Sequence, residues 1–196
     1  EEYVEIDYRS GLRKEGKLRF LGGKQQIIAE GGFDDVDLAM MMHVNSTKNP
    51  SGDFTVGASS NGFVGKLIEY HGRAAHAAGC PEEGINALNA AMLGVMGVNA
   101  INRALRAGGA ALGAECVISD LPGYLPLRPE PHFRDVLRAN AHEIFGDANT
   151  VEGEHSAGST DMGDVSHLMP VVHPWVGCVS GTLHGADYKV FDEETA

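Results

Sequence analysis

The stretch from Ser156 to Asp187, SAGSTDMGDVSHLMPVVHPWVGCVSGTLHGAD, decides how this chain is read. It holds three histidines (His167, His173, His184) and three acids (Asp161, Asp164, Asp187) among small, hydroxylated and glycine residues. It leaves little room for a long amphipathic helix. A segment of this composition builds a site, because glycine permits tight turns and close backbone approach while the polar side chains gather on loops. Within it, MPVVHPWVG and VGCVSGTLHGAD predict two short strands with loops between them.

Outward from this stretch, RPEPHFRDVLRANAHEIFG reads as an amphipathic helix carrying Phe133, Val136, Leu137 and Ile144 and ending at Gly146. CVISDLPGYLPL reads as a strand broken by its prolines. The Ala-, Leu- and Met-rich run INALNAAMLGVMGVNAINRALRAGGAALGAE has a helical period that continues to about Ala111, weakened at Gly94, Gly97, Gly108 and Gly109. Cys80-Pro81-Glu82-Glu83-Gly84 is a helix start. FVGKLIEYHGRAAHA predicts a strand that enters a loop at Gly72, and residues 46–62 form a turn-rich connector. DDVDLAMMMHVN predicts a buried strand with the Met run in the core and His43 at its tip, where α/β folds place ligands. KQQIIAEGGF is a short helix closed by Gly31-Gly32, and the tail YKVFDEETA reads as the start of a helix.

Composition narrows the function. With 43% hydrophobic residues in 196, the chain has ample material for a core. A formal charge of −12 argues against nucleic acid and anionic membrane partners. Cys80, Cys116 and Cys178 are widely spaced and odd in number, which predicts free thiols in a reducing compartment and a cytoplasmic location. No apolar run has the length of a membrane span. The chain opens on Glu1-Glu2 without Met, as a piece of something longer would.

The residues competent for chemistry are Glu1, Glu2, His43, His76, Asp161, Asp164, His173 and His184. No G-x-S-x-G elbow accompanies the histidines, and no Walker or Rossmann glycine pattern is present. Histidines and carboxylates spread over strand ends and loops suit a divalent ion such as zinc or manganese. Ligands so far apart in sequence have no fixed spacing to check them, so composition alone leaves a metal site and a plain polar loop both open.

Four motifs, in order, carry a resemblance. GSTDMGDVSHLMPVVHPWVG followed by GTLHGADY resembles the aminoacylase-type metallopeptidases, the M-20 peptidase family, and in particular the amidohydrolase branch with aminobenzoyl-glutamate hydrolase subunits and dipeptidase-like relatives. HGRAAHAAGCPEEGINALNAA is similar to that family's lid-domain signature. GGFDDVDLAMMMHV resembles its segment ending in a metal-binding His, and Glu1-Glu2 the acidic pair closing its P-A-E-E motif.

The resemblance implies an α/β metallopeptidase catalytic domain interrupted by a smaller α+β, ferredoxin-like lid and dimerisation domain. The catalytic domain would take residues 1–62 and 128–196, and the lid 63–127. Glu1 would be the general base and acid; Glu2, His43 and His184 would be ligands to a pair of divalent ions, zinc or manganese. His76 would stabilise the oxyanion in the partner subunit of a homodimer. Gly158, Ser159, Thr160, Asp161 and His173 would line the substrate pocket. The reaction would be hydrolysis of a small amide: an N-acyl amino acid, a dipeptide or an aminobenzoyl-glutamate-like compound. His71, His132, His142, His155 and His167 are left as surface or packing residues. Two departures stand out: the family's N-terminal half, with its first ligand motif, is absent, and near Ile101–Arg103 helix follows helix where the family's lid inserts two strands. The rival class is a non-catalytic binding or assembly protein that keeps the fold without a complete metal pair.

Overall fold

The computed structural model describes residues 6–48, 53–96 and 102–190. The chain divides into two compact units, one joining the residues up to Phe63 with those from Pro122 onward, the other spanning Val64–Leu121.

The first unit is built around a mixed sheet. Strand β8 (Trp175–Ser180) lies between β2 (His43–Ser46), which runs parallel to it, and β3 (Asp53–Val56), which runs antiparallel. Strand β6 (Thr150–Glu152) pairs parallel with the outer side of β3, and β9 (Lys189–Val190) pairs antiparallel with the end of β8. A second short ladder joins β1 (Ala39–Met40) to β7 (Val171–Val172), again in parallel.

The two parallel ladders are one pairing with an interruption. Backbone bonds from Ala39 N to Pro170 O (3.0 Å), Met41 N to Val172 O (3.3 Å) and His43 N to Pro174 O (3.0 Å) carry the register across the break. Pro174 has no N–H to return a bond, so regular pairing lapses there and resumes at His43 opposite Trp175. His43 is therefore not the tip of a strand, as its sequence predicts, but the point where pairing restarts. The Met run alternates rather than being buried whole: Met41 packs on the core, while Met40 and Met42 are 53% and 59% exposed. That core is Leu127, Met162, Val165 and Val171, with Ile28, Phe33, Ala39 and Met169 against it.

Helix α1 (Ile6–Lys14) precedes α2 (Gly23–Ala29), which packs on the short α6 (Met162–Val165) through polar bonds. Gln25 is buried and donates to the Gly123 carbonyl (2.5 Å) and to Asp164 (3.1 Å). Helix α5 (Pro131–Phe145) follows its predicted course: the Glu130 side chain accepts from Phe133 N at 2.5 Å, Pro131 opens the first turn, and Gly146 ends it. Phe145 at its end stacks on Phe54 of β3, with centroids 5.1 Å apart.

Three strands lie where the sequence reading places none. β3 falls in the supposed connector 46–62, held by burial of Phe54 and Val56; β6 falls shortly before Ser156; and β9 takes two residues of the tail read as a helix start, whose residues 191–196 lie outside the described residues. Each is too short for its period to stand out against flanking glycine and polar residues.

In the second unit, β4 (Phe63–His71) and β5 (Glu115–Tyr124) form a two-stranded sheet, accompanied by α3 (Ala87–Met96) and α4 (Asn102–Ala111). The predicted long helix is thus two helices packed on one another. Their glycines make the contact: a Cβ on Gly108 would lie 2.7 Å from the backbone nitrogen of Gly94. Strand β5 runs on through Pro122 instead of breaking, since each strand of a two-stranded sheet has an unpaired side where a missing N–H costs little. Among the described residues no helix is long and apolar enough to cross a membrane, and Cys80, Cys116 and Cys178 are free.

Gly57, just past β3, approaches the backbone of His173 so closely that an added Cβ would meet its carbonyl oxygen and sit 2.6 Å from its carbonyl carbon. Gly57→Ala is expected to lower unfolding stability by about 2 kcal/mol. Gly11→Ala, in the open interior of α1 with nothing within 4 Å, is expected to raise it by at most about 1 kcal/mol. Urea unfolding of both variants decides; a Gly57→Ala protein as stable as wild type would refute the close contact.

Candidate functional site

A cavity of about 480 Å³ opens in the first unit, and three histidines line it: His43, His173 and His184. Each arrives from a different piece of the sheet. His43 starts β2, His173 sits between β7 and β8, and His184 lies in the turn after β8. Ring centroids of His43 lie 6.1 Å from His173 and 6.0 Å from His184, both edge-on. Trp175, the register partner of His43, lies 4.3 Å from it and 5.7 Å from His173.

The protonation of His43 is set by its neighbour. Its Nδ1 lies 2.8 Å from the Val44 carbonyl oxygen, which only accepts, so Nδ1 carries the proton. Nε2 of the neutral ring is then the lone-pair nitrogen, which is the tautomer a metal ligand needs; a backbone carbonyl on the other ring nitrogen is the usual support for a ligating histidine.

His184 is held differently. It has φ +61°, the left-handed region that non-glycine residues seldom occupy. Bonds on both sides secure its turn: the Ser46 hydroxyl donates to the Gly181 carbonyl at 2.5 Å, Thr182 N donates to Asp187 at 3.2 Å, and Gly185 N to Thr182 O at 2.7 Å. Surrounding bonds thus keep a costly backbone conformation at the residue that faces His43.

His173 is only 2% exposed, and its Nε2 has no hydrogen-bond partner among the described residues. Burial, then the neighbouring His43 and Lys24, depress its pKa to about 4, against a smaller opposing pull from Asp161. Burial thus keeps this imidazole neutral, with one ring nitrogen bare.

The remaining expected residues divide. Gly158, Ser159 and Thr160 line the cavity. Asp161 does not: its carboxylate is paired with Lys24 of α2, 2.6 Å from Nζ. His76 lies in the second unit, exposed, its Nδ1 accepting the backbone N–H groups of Ala78 (3.3 Å) and Gly79 (3.0 Å). Its ring proton is therefore on Nε2. Glu1 and Glu2 lie outside the described residues. Among the described residues no three His, Cys, Asp or Glu side chains are gathered into a metal-binding group. His43 and His184 fit part of such a centre, as the two described residues that would each offer a ring nitrogen to a metal.

Sequence reading missed Asn45, Thr55, Ser59, Glu154 and Trp175, all of which line the cavity. Trp175 and Asn45 carried a usable signal, since they flank His43 and His173 on neighbouring strands. Glu154 and Ser59 carried none, because their loops meet only in the fold.

The neutral His173 links stability to pH. The unfolded ring protonates below its ordinary pKa of about 6.5, whereas the folded ring resists until about 4. Its contribution is full above that ordinary value and is lost as pH falls toward 4, by about 3 kcal/mol. In chelator-treated protein, urea midpoints measured from pH 7 to 4 are expected to fall more steeply for wild type than for His173→Gln; parallel profiles would show that the ring is not held neutral.

No family model matches the chain. Among curated proteins it is similar to the Xaa-Arg dipeptidases of mouse, 24% identical with 79% of this chain and 46% of that protein covered, and of human, at 25%, 83% and 48%. The chain thus spans about half the length of the curated relatives it matches. The mouse alignment runs over 206 positions, more than the 196 residues of this chain, so that relative carries internal residues without a counterpart here. Among solved structures, an aminobenzoyl-glutamate utilization protein from Klebsiella pneumoniae matches with TM-score 0.63 and 20% identity, covering 76% of this chain and 52% of that one. A Bacillus subtilis protein described as a dinuclear metal-binding peptidase of the M-20 family matches with TM-score 0.57 and 13% identity, covering 87% and 56%. The resemblance read from the four motifs is borne out, and the mixed α/β architecture is that of these peptidases.

Proposed function

We propose that this chain, which carries the fold of the M-20 metallopeptidases, is the part of a metal-dependent amidohydrolase that supplies one side of its metal centre and its substrate cavity. The observation that carries this reading is the pairing of His43 and His184 across the cavity, with the Nδ1–H of His43 spent on the Val44 carbonyl and its Nε2 left as a donor. His43, His184 and Glu2 would hold the metal. When bound, a pair of divalent ions polarises a scissile carbonyl and acidifies the attacking water.

The chain's own residues do the rest. Glu1 takes the proton of the attacking water and passes it to the departing amine. His76 acts in the partner subunit of a homodimer, and its Nε2–H is the donor that an oxyanion requires. Gly158, Ser159 and Thr160 flank the substrate, and His173 backs the cavity as a neutral wall.

The cavity also bears on which amide is cleaved. Of the described residues lining it, Glu154 is the one carboxylate, and none is Lys or Arg. This favours a dipeptide with a cationic residue over an anionic aminobenzoyl-glutamate-like compound, in keeping with the Xaa-Arg dipeptidase similarity. The rival reading, a binding protein with the same fold, draws on the lack of a three-ligand group among the described residues.

Elemental analysis separates the two. About two equivalents of transition metal are expected in wild type, fewer in His184→Ala, and a mixture of inactive His184→Ala and His76→Ala proteins should regain hydrolysis. Protein that stays metal-free after incubation with zinc or manganese would leave the binding reading. For the substrate, Glu154→Gln is expected to raise KM for a dipeptide ending in Arg about tenfold while sparing one ending in Leu. Equal effects on both would remove Glu154 from recognition.

A further inference from the structure

One wall of the cavity carries a second set of hydrogen bonds that the metal reading leaves unused. Ser59 lines the cavity, and its Oγ lies 2.9 Å from Nδ1 of His155. On the other side of that ring, Nε2 lies 3.1 Å from Oδ1 of Asn61. The orientation of this amide follows from its other half: Asn61 Nδ2 donates to the Ala157 carbonyl at 3.4 Å, which leaves the accepting oxygen toward the histidine. Nε2 therefore carries the ring proton. In a neutral imidazole Nδ1 is then the lone-pair nitrogen, and the Ser59 hydroxyl donates to it.

The backbone holds these three side chains in place. Ser156 N donates to Ser59 O at 2.9 Å, and Asn61 N donates to Ser156 O (3.3 Å) and Gly158 O (3.0 Å). Ser60 bridges to Ser156 on one side and to Leu127 on the other. Residues 59–61 and 155–158 are thus zipped together, and the serine, histidine and asparagine come from segments 94 to 96 residues apart. His155, read from sequence as a surface residue, is exposed but engaged at both ring nitrogens.

We propose that Ser59 is a nucleophile, His155 its general base and Asn61 the residue that orients the imidazole, forming an acyl-transfer site for small esters and activated amides that works without a metal ion. This is the order of nucleophile, base and orienting group on which serine and cysteine hydrolases of unrelated folds converge, with asparagine in the third place. Ser59 lies in Gly57-Ala58-Ser59-Ser60-Asn61, not on a strand-to-helix elbow, so a search for that elbow passes it over. Ser59 Oγ bonds to the acyl carbon as its proton moves to His155 Nδ1. The bond to the leaving group breaks as that proton passes to the departing alcohol or amine. A water molecule then attacks the Ser59 ester, giving its proton to His155, which returns it to Ser59 Oγ as the carboxylic acid departs.

The test is covalent labelling of chelator-treated protein by a fluorophosphonate, followed by intact mass and peptide mapping. A single adduct on Ser59 is expected, absent in Ser59→Ala and formed about 100-fold more slowly in His155→Ala, the usual scale of a lost general base. His155→Gln, which keeps polar contacts but cannot take the proton, is expected to slow it equally, and circular dichroism checks that each variant is folded. An unlabelled wild type, an adduct elsewhere, or a Ser59 adduct whose rate both histidine variants leave unchanged overturns the proposal. Because metals are stripped throughout, the result is independent of the metal content of the native protein.

Discussion

The parallel pairing of residues 39–46 with 170–179 is the constraint on which the first unit depends. It brings two segments more than 120 residues apart into one register, so His43 stands opposite Trp175 and one ladder step from His173. The break at Pro174 falls within the site. With no N–H at that position, regular pairing lapses between the two ladders, and the rings of His43 and His173 on either side of it line the cavity. β3, on the other side of β8, closes the sheet through Gly57, whose missing side chain lets the His173 backbone come near.

Charge near the site is arranged in two layers. In the nearer layer His173 is uncharged, the Val44 carbonyl holds the Nδ1 proton of His43, and Glu154 is the one carboxylate among the described lining residues. The deeper layer pairs Lys24 with Asp161 and ties Gln25 to Asp164, joining α2 to α6 beneath the cavity. A nearly buried ion pair stabilises little in itself, since desolvation offsets its attraction, but losing either partner strands the other. Asp161 therefore reads more naturally as a support for the Gly158–Thr160 loop than as a group that meets substrate.

Much of the first unit was legible in the sequence because its signals are either periodic or chemically dense. α5 forms as its period predicts and ends at Gly146, though of its apolar stripe Phe133 and Leu137 are half-buried while Val136 and Ile144 are exposed. The organising stretch delivered His173 and His184 to the cavity, while its third histidine, His167, turns to the Pro126 carbonyl instead. What was not legible depends on contacts between distant segments. β3 is four residues long and owes its existence to neighbours on both sides. The division of the 85–115 run into α3 and α4 follows from glycines packing against glycines, whereas locally each glycine only weakens a helix. The Ser59–His155–Asn61 chain has no linear signature at all, since its polarity is settled by the Ala157 carbonyl.

The same pairing sets an order of assembly. Among the described residues β2 and β3 pair only across long sequence separations, β2 with β8 and β3 with β8 and β6. During synthesis those pairings form only after the residues of the second unit, which lie between them in the chain, have been made. Contacts of this sequence separation make folding slow and leave unpaired strands exposed to other chains in the interval. Short strands and nearby charges such as Lys48 and Asp53 limit that hazard. A site joined by a ladder between segments this far apart becomes competent only once β8 has emerged.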